Sequence, residues 1–191
     1  MKQKIIQESI LLFERKGFGS TSIQDIVDAL NVTKGTFYYY FSSKEQLLMD
    51  IHSEYIEDLL KRQTAIMAQP GAFRQKLYDI VYLLITDIEA QGSAGRVFFR
   101  EMRHLEETHA DEIRQKRDTF RRNLEHILLQ GMGQGEFRKG LQIEMLSFAI
   151  LGMTNWSYQW YQPEGKVPPK ELTNIYVDMI LNGISAAADT N

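Results

Sequence analysis

Apolar residues return every three or four positions along almost the whole chain, and no stretch sustains the strict alternation that half-buries a β-strand. The pattern predicts an all-α protein of about nine helices. A first helix carries Ile5, Ile6, Ser9, Ile10, Leu12 and Phe13 and stops at Gly17. A second opens at Ser22, whose hydroxyl caps it while Asp25, three residues on, completes a capping box; it buries Ile23, Ile26, Val27 and Leu30. Asn31 follows, and asparagine is the best residue after glycine for the left-handed position that turns a chain sharply out of a helix. Thr33 then caps a short third helix ending near Phe41. Ser43 with Gln46 forms the capping box of a long fourth helix that carries the stripe Leu47, Ile51, Tyr55 and Leu59 and runs to about Met67. Further helices are expected over 72–90, 95–106, 110–132, 142–162 and 169–187, separated by Gly92 to Gly95, by Gly131, Gly133 and Gly135, and by Pro163 to Pro169.

The third helix, KGTFYYY, raises a question of its own, because glycine weakens a helix and three tyrosines in a row cannot share one face. At about 100° per residue, Phe37, Tyr40 and Phe41 fall together on one side. Gly35 and Tyr39 lie opposite, with Thr36 and Tyr38 on the flanks. A short helix reached through a tight turn, with outward aromatics beside a side-chain-free position, is the arrangement of a helix-turn-helix. Helix N-termini and phenols give hydrogen bonds to phosphate oxygens, and an outward Tyr39 reaches base edges or thymine methyl groups.

Composition moves this picture little. The chain has 191 residues, 43% hydrophobic and 25% charged, which is globular and not disordered. No apolar run suggests a membrane span or a signal peptide. With no cysteine, disulfides, cysteine-based zinc sites and thiol nucleophiles are excluded, and a cytoplasmic location is the expectation. The formal charge of −3 gives no overall basic signal. Its distribution is only slightly favourable to nucleic acid, at +1 up to Gln46 and −4 beyond.

The run IIQESILLFERKGFGSTSIQDIVDALNVTKGTFYYYFSSKEQLL resembles the N-terminal domain of the TetR family of one-component transcriptional regulators. The matching positions are Phe13, Gly17-Phe18, Thr21-Ser22, Ile26, Val32, Lys34-Gly35-Thr36, Tyr38, Phe41 and Lys44-Glu45. Asn31 stands where the family usually has glycine, and no basic arm precedes the first helix. The resemblance implies a three-helix DNA-binding domain over 1–46 and a larger helical ligand-binding and dimerisation domain over 47–191. It carries over Thr33, Lys34, Gly35, Thr36, Tyr38, Tyr39 and Lys44 as the DNA-facing set, with Thr21 and Ser22 approaching phosphate from the second helix.

The same resemblance gives roles to the rest of the chain. The last two helices would pair with those of a second protomer, through Ala149, Met153, Trp160, Tyr176, Met179 and Gly183. A homodimer is also what a palindromic operator requires. The middle helices would hold an effector among Phe99, Met102, Arg103, Phe120, Leu124 and Trp156, where arginine beside aromatics suits an anionic amphiphile. The segment WYQPEGKVPPKEL is similar to members that regulate fatty-acid or sterol breakdown and sense acyl-CoA thioesters. His104 and His109 are five apart without a matching carboxylate geometry, so no metal and no cofactor is expected.

The expectation is therefore a ligand-responsive repressor that binds double-stranded operator DNA as a dimer and is released by a small-molecule effector. An enzyme is not expected, because no G-x-S-x-G, H-E-x-x-H or P-loop occurs. The alternatives are a helical interaction protein without DNA binding, and a multidrug-responsive repressor of an efflux gene.

Overall fold

The computed structural model describes residues 1–183. Its described residues are all-helical: α1 (Lys2–Lys16), α2 (Ile23–Ala29), α3 (Lys34–Tyr40), α4 (Lys44–Ala68), α5 (Phe73–Glu101), a 3₁₀ turn (Met102–His104), α6 (Glu107–Gly133), α7 (Ile143–Trp160) and α8 (Pro169–Asn182). There are eight α-helices among the described residues where about nine were expected. The difference is α5, in which the helices expected over 72–90 and 95–106 join across a kink at Gln91, whose φ of −138° and ψ of 26° leave the helical region one residue before the expected break at Gly92–Gly95. Two glycines cost a helix stability without forbidding it. The last turn of the helix expected over 169–187 lies outside the described residues; α8 ends at Asn182, with Gly183 at its C-cap.

By packing, the chain forms two compact units: Met1–Lys61 with Gln91–Thr119, and Arg62–Ala90 with Phe120–Asn191. In the first, Ile5, Phe13, Phe18, Ile26, Phe37, Phe41, Leu47, Leu48 and Ile51 form one buried cluster. Val97 of α5 belongs to the same cluster, so the end of α5 is part of the core beneath α1 to α3. Tyr55 of α4 and Phe98 of α5 pack in this unit with their rings tilted and their centroids 4.8 Å apart.

The second unit is tied by polar groups inside an apolar interior. Asp87 is fully buried, pairs with Arg62 and accepts a 2.7 Å hydrogen bond from the Tyr158 hydroxyl. Gln63, also fully buried, donates to the Phe120 carbonyl at 2.8 Å and accepts from Asn123 at 2.9 Å. The start of α5 is capped from a distance by Glu136, which accepts from the backbone N–H groups of Phe73 and Arg74 at 3.0 and 2.8 Å. Those two hydrogen bonds hold the Glu136 carboxyl below its ordinary range. A Cβ at Gly131 would stand 2.2 Å from the Phe137 ring, which is why α6 carries glycine there.

Candidate nucleic-acid interface

The first unit presents α2 and α3 through three local devices. Ser22 closes the expected capping box: its side chain accepts from the Asp25 N–H at 3.1 Å, and its own N–H donates to Asp25 Oδ2 at 2.7 Å. The Ser22 hydroxyl and N–H hydrogen bonds, joined by Lys16, hold the Asp25 carboxyl far below its usual range. Asn31 takes the left-handed conformation at φ 52°, and the Val32 N–H reaches back to the Val27 carbonyl at 2.9 Å. Thr33 caps α3 by accepting from the Thr36 N–H at 3.3 Å. The box expected at the head of α4 is half formed: Gln46 N–H reaches Ser43 Oγ at 3.1 Å, but the Gln46 side chain donates to Asp50.

On α3 the tyrosine run separates as its spacing requires. Phe37 is fully buried and Phe41 is 2% exposed, whereas Tyr38 is 54% and Tyr39 80% exposed. Tyr39 stands edge-on to Tyr40 at 4.8 Å, and Tyr38 edge-on to Phe37 at 5.6 Å, so each outward ring is braced by an inner one. Thr33, Lys34 and Gly35 are exposed beside them and Thr36 is half-buried. A Cβ at Gly35 would meet only Thr33 Oγ1 at an ordinary 3.5 Å, so the chain itself does not demand glycine there. A shallow groove of about 310 Å³ next to α3 brings Ser22, Tyr38, Ser42, Ser43, Lys44 and Glu45 together. The exposed Ser42 in it escaped the sequence reading, whose signal was a hydroxyl pair just ahead of a helix start.

Several of the nine expected DNA-facing side chains are engaged within the domain: the Ser22 hydroxyl is bound to Asp25, and Thr21 and Lys44 have other partners. Thr21 is 1% exposed and donates its hydroxyl to the Gly17 carbonyl at 2.8 Å, so its side chain is a brace inside the α1–α2 turn. Lys44 donates to the carbonyls of Phe18 and Thr21 at 2.8 and 2.7 Å and sits 4.2 Å from the centroid of the Phe18 ring. An unfavourable lysine at a helix start is thus balanced by two backbone oxygens and a ring face, not by a phosphate.

The expected effector residues fall in both units. In the first, Phe99 and Met102 are half-buried and Arg103 is exposed. Arg117, which the sequence reading passed over, lies 5.8 Å from the ring centroids of both Phe98 and Phe99 and donates to Met102 Sδ at 3.2 Å. In the second, Phe120 and Leu124 are buried at 5% and 0% exposure. Trp156 is 67% exposed, so it stands on the outer face of α7 and lines no interior.

That outer face is broad. Met145, Phe148, Trp156 and Trp160 on α7, with Ile175 and Met179 on α8, are all between 41% and 67% exposed. Ala149 is exposed and Met153 half-buried beside them, and Gly183 is exposed at the end of α8. Tyr176 departs from the expected set: it is turned inward, and its hydroxyl lies 2.8 Å from Ser157 Oγ, joining α8 to α7 within the protomer. Its neighbour Ile175 takes the surface position. Among the described residues no group of three metal-ligating side chains comes together, and no helix is long and apolar enough to cross a membrane.

Comparison with known proteins matches the chain in two stretches. Residues 5–51 match the family model described as bacterial regulatory proteins, tetR family, and residues 70–184 match that of the tetracyclin repressor-like C-terminal domain. The HTH-type transcriptional repressor KstR2 of Rhodococcus jostii is 27% identical over 190 residues, covering 97% of this chain and 91% of the relative. The crystal structure of the regulator PfmR from Thermus thermophilus superposes with a TM-score of 0.89 at 27% identity, covering 95% of this chain and 99% of that one. The structure of AibR in complex with isovaleryl coenzyme A and operator DNA has the same fold, with a TM-score of 0.83 at 22% identity over 94% and 97% of the two chains.

Proposed function

The chain belongs to the TetR family of transcriptional regulators, and from that premise we propose that it is a dimeric repressor that leaves its operator when a small amphipathic effector binds. The observation that carries the reading is α3, where Tyr38 and Tyr39 stand outward beside a glycine the chain does not need for itself. In this reading residues 1–46 bind DNA and residues 47–191 bind effector and partner. Tyr39 reads base edges in the major groove. Tyr38, Thr33, Thr36 and Lys34 hold phosphates and so fix the register, joined by the hydroxyl of Ser42, and Gly35 lets the backbone approach.

The apolar outer face of α7 and α8 pairs with the same face of a second protomer, placing two α3 helices on successive major grooves. The effector is a hydrophobic carboxylate derivative of the acyl-CoA class. Its support is AibR, a structural neighbour crystallised with an acyl-CoA and operator DNA, together with the aromatic and cationic set of Phe99, Met102 and Arg103. The protein works in the cytoplasm and by binding, without catalysis.

Selection of genomic fragments by the purified protein, followed by gel shift with and without acyl-CoAs of several chain lengths, tests this. A palindromic operator released by a subset of chain lengths is expected. Selection of no fragment contradicts the DNA role, and release by planar cations alone contradicts the acyl class.

A further inference from the structure

Within the first unit a line of contacts runs from the end of α5 to the N-terminus of α2. Arg100, in the last turn of α5, donates from Nη2 to the carbonyls of Phe13 at 2.5 Å and Glu14 at 2.9 Å. These lie at the end of α1, where a helix runs out of its own donors and a cation opposes the negative end of its dipole. One turn earlier Arg96 pairs with the Glu14 carboxylate. Burial pushes that carboxyl up, but hydrogen bonds from Ser93 and Arg96 and the charges of Arg96 and Arg100 outweigh it and leave it below the ordinary range.

From Arg100 the line continues toward α2. Arg100 Nε donates to Glu101 Oε1 at 2.7 Å, Glu101 is 1% exposed, and its other oxygen lies 3.5 Å from His104 Nε2. The His104 ring lies against Phe18 at 5.2 Å, and Lys44 covers the same Phe18 ring while holding the carbonyls of Phe18 and Thr21. Thr21 immediately precedes Ser22, the N-cap of α2.

We propose that Arg100, Glu101 and His104 are positioning residues for operator binding. Through Phe18 and Lys44 they fix the α1–α2 turn, and with it the N-terminus of α2, in the placement from which α2 and α3 meet DNA. A carboxylate as buried as Glu101 is tolerated only while its cationic partner Arg100 stays in place, so the line holds or releases as a unit. Met102 and Arg103 sit between Glu101 and His104 in the same 3₁₀ turn, so an effector drawn to them acts on the turn that carries the line. This deepens the repressor reading and rests on it.

A double-mutant cycle on the full chain tests the proposal, with affinity read by fluorescence anisotropy on an operator selected by the wild type and on a scrambled duplex. Arg100→Ala and Lys44→Met are each expected to weaken operator binding about tenfold while scrambled-duplex binding stays within about twofold. The double variant should be no weaker than about the worse single, because members of one network are not additive. Arg138→Ala, an exposed change in the other unit, should leave both affinities alone. Independent losses that multiply to about a hundredfold overturn the proposal, as does operator binding unchanged by Arg100→Ala. If Arg100→Ala fails to fold by circular dichroism, Arg100→Lys replaces it in the cycle with the same two criteria; it keeps the charge but not the forked pair of bonds. A wild type that selects no operator defeats the DNA reading itself, whereas operator binding with multiplying losses defeats only the positioning role.

Discussion

The outer face of α3 and the outer face of α7 with α8 both expose large aromatics, yet they differ in what surrounds the rings. On α3 the exposed rings are phenols, set among Thr33, Lys34, Thr36 and Ser42 and braced from behind by Phe37 and Tyr40. On α7 and α8 they are Phe148, Trp156 and Trp160 among Met145, Ile175 and Met179: six large apolar side chains, with exposed Glu144, Gln159, Asn174 and Asp178 at the margins and Arg121 over the Phe148 ring. A phenol with hydroxyl neighbours keeps its hydrogen bonds when it leaves water for phosphates and base edges. A contiguous apolar face gains most by covering itself with another apolar face. Exposure alone does not name a partner; the polar handles beside the exposed ring do.

The hardest break of this contrast is a charge on the apolar face. Trp156→Arg should convert the dimer to monomers in sedimentation and weaken operator binding more than about a hundredfold, because a central buried aromatic carries several kcal/mol of an interface. Tyr39→Ala is expected to cost about 1–3 kcal/mol of operator affinity, roughly tenfold to a hundredfold, while melting temperature and scrambled-duplex binding barely move. A Tyr39→Ala protein that unfolds would mean the ring is part of the core.

Lys44 sharpens the comparison from within the head. Removing a lysine that neutralises a DNA phosphate flattens the salt dependence of binding by about 0.9 per site. With its ammonium committed to two carbonyls, Lys44→Met should instead lower thermal stability by about 1–3 kcal/mol and leave the salt slope nearly unchanged. Lys34→Ala, on the exposed start of α3, should show the reverse: an altered slope and unchanged stability.

The smallest effect is one of pH. His52 of α4 is fully buried in the first unit, and burial holds its imidazole below the ordinary range against the hydrogen bond to the Leu48 carbonyl. A depressed folded-state value means that stability is complete above the unfolded value, about 6.5, and is lost as pH falls toward the folded one. Folding stability should therefore decline on acidification from about pH 6.5, by at most about 1.4 kcal/mol per pH unit, seen as a falling melting temperature, and His52→Gln should flatten that decline. An equal decline in the variant would assign it to other groups.

Much of this was legible in the sequence because the signals are local. Ser22 with Asp25, Asn31, Thr33 and the angular spread of Phe37 to Tyr39 depend only on neighbours within one helix or turn, and the structure places each as its spacing requires, whereas Phe41 is buried from extended backbone just past the helix. What failed to show depends on residues far apart in the chain. Lys44 is claimed by Phe18 and Thr21, more than twenty positions earlier, and Arg100 by Phe13 and Glu14, over eighty positions away. Trp156 and Tyr176 were misassigned for a related reason. Helical spacing says which residues share a stripe, but Trp156 falls on the open side of α7 while Tyr176 turns in to Ser157. The break expected at Gly92–Gly95 appears one residue earlier, as the kink at Gln91, because a glycine pair marks where a helix is weak but not which residue leaves the helical region.

The most direct test is photo-crosslinking from the two faces in one experiment. A benzophenone amino acid is placed at Tyr39 in one preparation and at Trp156 in another, and each is irradiated with labelled operator. The expected products are a protein–DNA adduct from position 39 and a covalent protein dimer from position 156. A protein dimer from position 39, or a DNA adduct from position 156, would contradict the assignment of the two faces.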